Sequence, residues 1–224
     1  GSWKNEISES GRNIETEVRF RRWLKNTACP STQSGKSFIK SNRPNQQMVC
    51  FMDRLLIRFG REITMLRLEK ITGKNVWSIL KLSVSQNQES FVASNDISMI
   101  EAYTAITGNG YAFPFGIYED DTPVGFLMIG FDKDDYWDDA PSIANGNYNL
   151  WRLMIDKKHQ KKGYGREAVR LALEFIKTFP CGKADFCWLS YEPENETARR
   201  LYRSFGFTET GEMDGNEIIA VLKL

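Results

Sequence analysis

"LWRLMIDKKHQKKGYGREAVRLALEFI", residues 150–176, decides the reading of the fold. It opens on a mostly apolar run of strand length and ends, from Tyr164 on, with apolar side chains at helical spacing. Between them stands Gln160-x-x-Gly163-x-Gly165, set among Lys157, Lys158, Lys161, Lys162 and Arg166. The glycines let backbone N–H groups turn inward and approach a ligand closely. A helix start adds unpaired N–H donors and about half a positive charge, which suits an anion. On this stretch alone two readings stand: a cradle for a pyrophosphate, and a solvated basic turn that caps a helix.

The bulk numbers narrow the class. A chain of 224 residues, 41% hydrophobic and 26% charged, is ordinary for a soluble globular protein. No apolar run approaches the roughly 18–20 residues that span a bilayer. The polar N-terminus lacks a signal-peptide pattern, and Gly1-Ser2 reads as a cloning scar. Cys29, Cys50, Cys181 and Cys187 are scattered, without a CxxC pair, and His159 is the single histidine. A zinc site and a disulfide framework are therefore not expected, and no metal is assigned. The expected location is the cytoplasm, with no membrane association.

Charge divides the chain. Residues 1–64 carry 12 Lys and Arg against 6 Asp and Glu, whereas residues 65–224 carry 18 against 23. Residues 1–64 are read as a basic N-terminal extension, partly helical or disordered, and 65–224 as the main domain. Met48, Met52, Leu55, Leu56, Phe59 and Ile63 fall at helical spacing, as on a helix that docks on the next domain or a second subunit. "PSTQSGKS" (30–37) imitates a P-loop but has Pro30 where the motif needs glycine, and no strand precedes it. A chain that starts at Met65, with the upstream stretch non-native, is a further reading.

From Met65 the signals are regular. "LRLEKI" alternates as a strand, "NVWSILKLSV" has helical periodicity, and "DISMIEAYTAI" is a second helix with Asp96 as its expected N-cap. "FPFGIYEDDTPVGFLMIGF" is a hairpin around Glu-Asp-Asp-Thr. Then follow an acidic loop, strand "NLWRLMI", helix 164–178, strand "ADFCWLSY", helix 196–204 and a strand pair to the C-terminus. The order is β-α-α-β-β-β-α-β-α-β-β, an α/β fold with a mixed central sheet flanked by helices. A dinucleotide fold is disfavoured, because its Gly-x-Gly-x-x-Gly belongs in an early βαβ unit.

Thirty residues beyond the glycine loop comes "NETARRLY" (195–202), followed by "FGF" (205–207). With "QKKGYG" (160–165) upstream, the chain resembles the Gcn5-related N-acetyltransferase (GNAT) superfamily over essentially all of 65–224. Segments 82–94, 151–156 and 211–224 resemble bacterial spermine/spermidine (polyamine) N-acetyltransferases. The resemblance implies acetyl-CoA as the co-substrate and a primary amine as the acceptor. It implies that the backbone of Leu153, Met154 and Ile155 pairs with the pantetheine arm as another strand would. It further implies a pyrophosphate held by the loop of Gln160, Lys161, Lys162, Gly163, Tyr164, Gly165 and Arg166, with Asn195 near the reacting end. Tyr202 would be the general acid that protonates the departing thiolate, since a phenol stays protonated at neutral pH.

The acceptor must lose a proton first, because alkyl ammonium groups have pKa values near about 10. Some relatives place a carboxylate on the central strand where this chain has Trp151. Glu192 and Glu89 are the candidate bases, acting through water. Asp132, Asp134, Asp135, Asp138 and Asp139, beside Tyr136 and Trp137, could attract ammonium groups, and Asp134, Asp135 and Glu89 are assigned to the substrate. A solvated acidic loop is the alternative. The expected activity is acetylation of a polyamine by direct attack, by a homodimer that does not bind nucleic acid. The competing readings are an aminoglycoside-like antibiotic or a protein lysine as acceptor, and a non-catalytic acyl-CoA-binding regulatory module.

Overall fold

The computed structural model describes residues 66–224. The expectations for residues 1–64, and the boundary at Met65, lie outside the described residues.

In chain order the elements are β1 (Leu66–Lys70), α1 (Val76–Ile79), α2 (Asn95–Thr107), β2 (Tyr111–Glu119), β3 (Thr122–Phe131) and β4 (Tyr148–Ile155). There follow α3 (Tyr164–Ile176), β5 (Phe186–Tyr191), α4 (Glu196–Arg203), β6 (Thr208–Asp214) and β7 (Glu217–Lys223). This is the expected order. The seven strands form one sheet, β1-β2-β3-β4-β5-β7-β6, in which β4 and β5 run parallel and the other neighbours antiparallel.

Both faces of the sheet are covered, which explains the unbroken apolar run of β3. Val124, Leu127 and Ile129 join a core with Ala168, Val169, Ala172 and Ile176 of α3. Phe126 and Met128, pointing the other way, pack with Ile79 of α1 and Ala102 and Ala105 of α2. Each such large side chain, buried completely, contributes roughly 1.5–3 kcal/mol relative to leaving it in water. Helix α2 is apolar on its outer side too: Ile97, Ile100 and Ile106 are exposed.

Two irregularities in β4 shape the molecule. Met128 pairs with Arg152 but Ile129 with Leu150, so Trp151 is an extra residue, a β-bulge. The bulge puts Trp151 and Arg152 on the same face: Trp151 packs in the α1–α2 core, and Arg152 reaches Glu101 of α2. Without the extra residue, strict alternation would aim one of them at α3. The second irregularity is a divergence. Parallel pairing of β4 with β5 is confined, among the described residues, to Tyr148–Cys187 and Asn149–Trp188. From Leu150 to Ile155 the strand has β3 on one side and no ladder on the other.

Two local expectations need correction. "NVWSILKLSV" holds a single helical turn, Val76–Ile79, and not a long helix. Tertiary bonds claim the rest: Ser83 N–H donates to Asp156 Oδ2 (3.2 Å), and Ser83 O accepts Lys157 N–H (2.9 Å). Helix α2 starts two residues earlier than expected, with Ser94 and not Asp96 at the N-cap and Asp96 in the first turn. A hydrogen bond from the Ser94 side chain is the largest influence holding the Asp96 carboxyl below its ordinary range.

Candidate active site

The divergence of β4 from β5 opens a cleft of about 880 Å³. Its walls are the β4 edge Leu150–Ile155, the loop and first turn of α3, the end of β5, helix α4 and the segment 88–93.

The glycine loop is built as the sequence suggested. Gly163 stands at the N-cap of α3 with φ +84°, and no side chain caps the helix. Lys161 is also left-handed, at φ +64°. The first intrahelical bond runs from Glu167 N–H to Gly163 O (3.2 Å), and among the described residues no acceptor takes the N–H groups of Tyr164, Gly165 or Arg166. Unpartnered donors at a helix N-terminus are suited to an anion. Lys161, Lys162 and Arg166 are exposed around it. Gln160 fixes the loop to the strand: its Nε2 donates to Ile155 O (3.0 Å) and to Gln88 Oε1 (2.8 Å). Tyr164 anchors the helix from beneath through a hydrogen bond to Glu119.

At the far end of the cleft, Asn195 caps α4, its Oδ1 accepting Ala198 N–H (3.1 Å). That leaves the Asn195 Nδ2 donor for other partners. Tyr202, two turns further, is 9% exposed, with its ring between Tyr191 (5.9 Å) and Phe207 (5.8 Å). Among the described residues nothing hydrogen-bonds its hydroxyl, and the residue lines the cleft. Burial, followed by the charge of Glu217, pushes the phenol well above its ordinary pKa. It is therefore protonated throughout the neutral range, as an acid must be.

The cleft thus gathers Leu153, Met154, Ile155, Gln160, Lys161, Gly163, Tyr164, Gly165, Arg166, Asn195, Tyr202 and Glu89. Lys162, Glu192, Asp134 and Asp135 are not among its walls. The acidic loop is tied to the end of α2 instead: Asp135 Oδ2 accepts from Asn109 Nδ2 (2.5 Å), and Asp134 Oδ1 accepts Tyr136 N–H (2.8 Å). Lys162 lies over the Tyr164 ring, its Nζ 5.5 Å from the centroid.

Among the polar lining residues that the sequence reading did not assign to the site are His159, Ser190 and Glu217. The first stands just before the glycine motif and carries no signal of its own. The other two come together only because β5 and β7 are neighbours, where the Ser190 hydroxyl bonds the Glu217 carboxylate.

The model of the acetyltransferase (GNAT) family matches residues 76–207, a span from α1 to the residue after α4's closing glycine. The chain belongs to this family. Two curated GNAT relatives from Bacillus subtilis extend the match. A probable spermine N(1)-acetyltransferase of subsp. natto (strain BEST195) is 32% identical over 156 residues, 67% of this chain and 93% of the relative. The spermine/spermidine N(1)-acetyltransferase of strain 168 is 31% identical over the same lengths. Among solved structures, aminoglycoside acetyltransferase AAC(6')-Ib in complex with coenzyme A has a TM-score of 0.56 at 15% identity, covering 70% of this chain and 94% of its own. PaiA N-acetyltransferase from Thermoplasma acidophilum, also with coenzyme A, has 0.50 at 14%, covering 71% and 99%. These structures share the GNAT fold. As a GNAT protein the chain is an acyl-CoA-dependent N-acetyltransferase, with acetyl-CoA as co-substrate.

Proposed function

We propose that the chain acetylates a polyamine, with spermine and spermidine as the leading acceptors, by direct transfer within a ternary complex. The observation that carries this reading is the identity of 31–32% to spermine and spermidine acetyltransferases over 93% of their length. The net acidity of residues 65–224 supports it, since a domain that must also bind a polyanionic co-substrate has little other reason to be acidic.

Acetyl-CoA supplies an activated acetyl thioester. On this chain, the backbone of Leu153, Met154 and Ile155 is the proposed docking edge for its pantetheine arm, and a main-chain N–H of β4 polarises the thioester carbonyl. The loop from Gln160 to Arg166 holds the pyrophosphate on main-chain N–H groups, with Lys161, Lys162 and Arg166 adding positive charge. Asn195 offers its free amide near the reacting end. Tyr202 gives its proton to the departing sulfur.

Direct transfer is supported by the two cysteines among the described residues. Burial pushes Cys181 and Cys187 up to about 12, and neither lines the cleft, so neither is a thiolate nucleophile at neutral pH.

The test is thiol release from acetyl-CoA with a panel of spermine, spermidine, kanamycin and a lysine-containing peptide. Spermine or spermidine should give the highest kcat/KM. Preference for kanamycin or the peptide would overturn the polyamine reading, and release with none of them would favour the regulatory module.

A further inference from the structure

Strands β6 and β7 meet in a two-residue turn that sets Asp214 directly opposite Glu217. Like charges facing each other across a hairpin repel. Burial, and after it Glu217 and Asp139, push the Asp214 carboxyl up against the opposing pull of Arg152. Among the described residues neither carboxylate forms an ion pair with Lys or Arg, and Arg152 is engaged by Glu101 (3.0 Å). The hairpin end is therefore a concentration of negative charge that no ion pair neutralises among the described residues.

Glu217 differs from Asp214 in lining the cleft. Its Oε2 accepts the Ser190 hydroxyl, which fixes the carboxylate against β5 and leaves Oε1 free. Its charge acts on the Tyr202 phenol, which lines the same cleft. Ser190 from β5, Asp214 from β6 and Tyr202 from α4 are the groups around it, with Arg152 of β4 and Asp139 acting on Asp214. Glu89 is less well placed: it is exposed and follows Gln88, whose side chain is bonded to Gln160 of the glycine loop.

We propose that Glu217, held by Ser190, receives the ammonium group of the acceptor and takes its proton. This rests on the amine-acetylating reading above and adds the base to it. Two protons leave the acceptor nitrogen. The first passes to the Glu217 carboxylate, freeing the lone pair that forms the C–N bond as the C–S bond breaks. Tyr202 delivers its proton to sulfur and regains one as the second proton leaves nitrogen through solvent. One ammonium and one thioester thus give one amide, one thiol and one released proton. Asp214, facing Glu217, deepens the negative potential that draws the cation in.

The experiment compares wild type with Glu217→Gln on the amine of the panel that wild type acetylates fastest. At pH 7 the variant should lose about a hundredfold in amine kcat/KM, the scale of general base catalysis. The deficit should narrow towards pH 9.5, where free amine replaces the missing base, while the KM for acetyl-CoA stays unchanged. Glu217→Asp should recover part of the loss. Activity of Glu217→Gln within threefold of wild type, or a deficit equal at both pH values, overturns the proposal and leaves the polyamine reading intact. Release by wild type with no amine overturns both. If Glu217→Gln shows no cooperative melting transition, Ser190→Ala decides: about a tenfold loss in amine kcat/KM supports the role, and unchanged kinetics overturn it.

Discussion

Nη2 of Arg152, on the bulge of β4, stands 3.0 Å from both carboxylate oxygens of Glu101 in the middle of α2. The pair is part-buried, and the guanidinium also lies 5.8 Å from the Trp151 ring. It joins the strand edge that lines the cleft to the helix covering the opposite face of the sheet.

Removing one partner strands the other in a half-dry setting, so Arg152→Met should cost about 1–2 kcal/mol of stability. Glu101→Gln should cost less, because a glutamine oxygen still accepts from the guanidinium. Urea unfolding of the two single variants and the double variant closes a cycle, with an expected coupling near about 1 kcal/mol. Strict additivity would mean that the contact does not hold α2 to the bulge.

Tyr202→Phe should bind coenzyme A as wild type does, since the ring stays between Tyr191 and Phe207, yet lose about a hundredfold in kcat. The raised phenol pKa adds a pH signature. Because the group stays protonated past its ordinary value of 10, wild-type kcat should not fall between pH 8 and pH 10 through loss of this proton. Calorimetric titration and a pH–rate series check the two halves. Unchanged turnover would remove the acid role.

The two loop glycines should separate stability from binding. Gly163 has φ +84° with open space around its would-be Cβ, so Gly163→Ala is strained by conformation alone and should cost about 1 kcal/mol. A Cβ on Gly165 would meet Leu201 at an ordinary 3.8 Å, so Gly165→Ala should leave the melting temperature nearly unchanged. Both should weaken coenzyme A binding if the loop holds the pyrophosphate on its N–H groups. A Gly165→Ala protein with full affinity would argue against that.

Asp214 should reveal itself through the sign of a pH effect. Its pKa is raised in the folded state, so its protonated form is favoured there, and its contribution is lost as pH rises through the folded pKa. Asp214→Asn should therefore raise the melting temperature at pH 7 and leave it unchanged at pH 3, below both folded and unfolded pKa values. Glu209 has the opposite sign, its carboxyl being held down first by the Tyr191 hydroxyl bond (2.8 Å). Glu209→Gln should be harmful at pH 7 and less so at pH 3, as the contribution is lost on falling through the folded pKa. Melting curves at the two pH values test both substitutions.

The residues that the sequence made legible are those whose role follows from local chain geometry. Gly163 and Gly165 behind a strand announce an N–H-rich helix start whatever lies elsewhere, and "NETARRLY" announces a capped helix with its tyrosine one side down. Trp151 was read only as the place where relatives carry an acid, because a bulge depends on how β3 and β4 pair. Nothing in the local sequence around Glu217 marks it out. Its setting comes from the sheet order β5-β7-β6, which brings Ser190 next to it and the Tyr202 phenol under its charge. The density of acids around Asp134 and Asp135 suggested a cation trap; what local pattern did not show is that one oxygen of each is taken by a turn N–H or by Asn109. "NVWSILKLSV" shows the same rule, since Asp156, 73 residues beyond Ser83, claims backbone that periodicity assigned to a helix.

The unladdered stretch of β4 has a consequence for the life of the protein in a cell. Backbone that can accept an extended partner does not discriminate by origin, and a neighbouring polypeptide is as able to add to it as a small molecule. Tight occupancy by the co-substrate would shield this margin and raise the unfolding free energy by mass action. The abundance of the enzyme would then follow the supply of acyl thioesters, through aggregation and turnover as well as through catalytic rate.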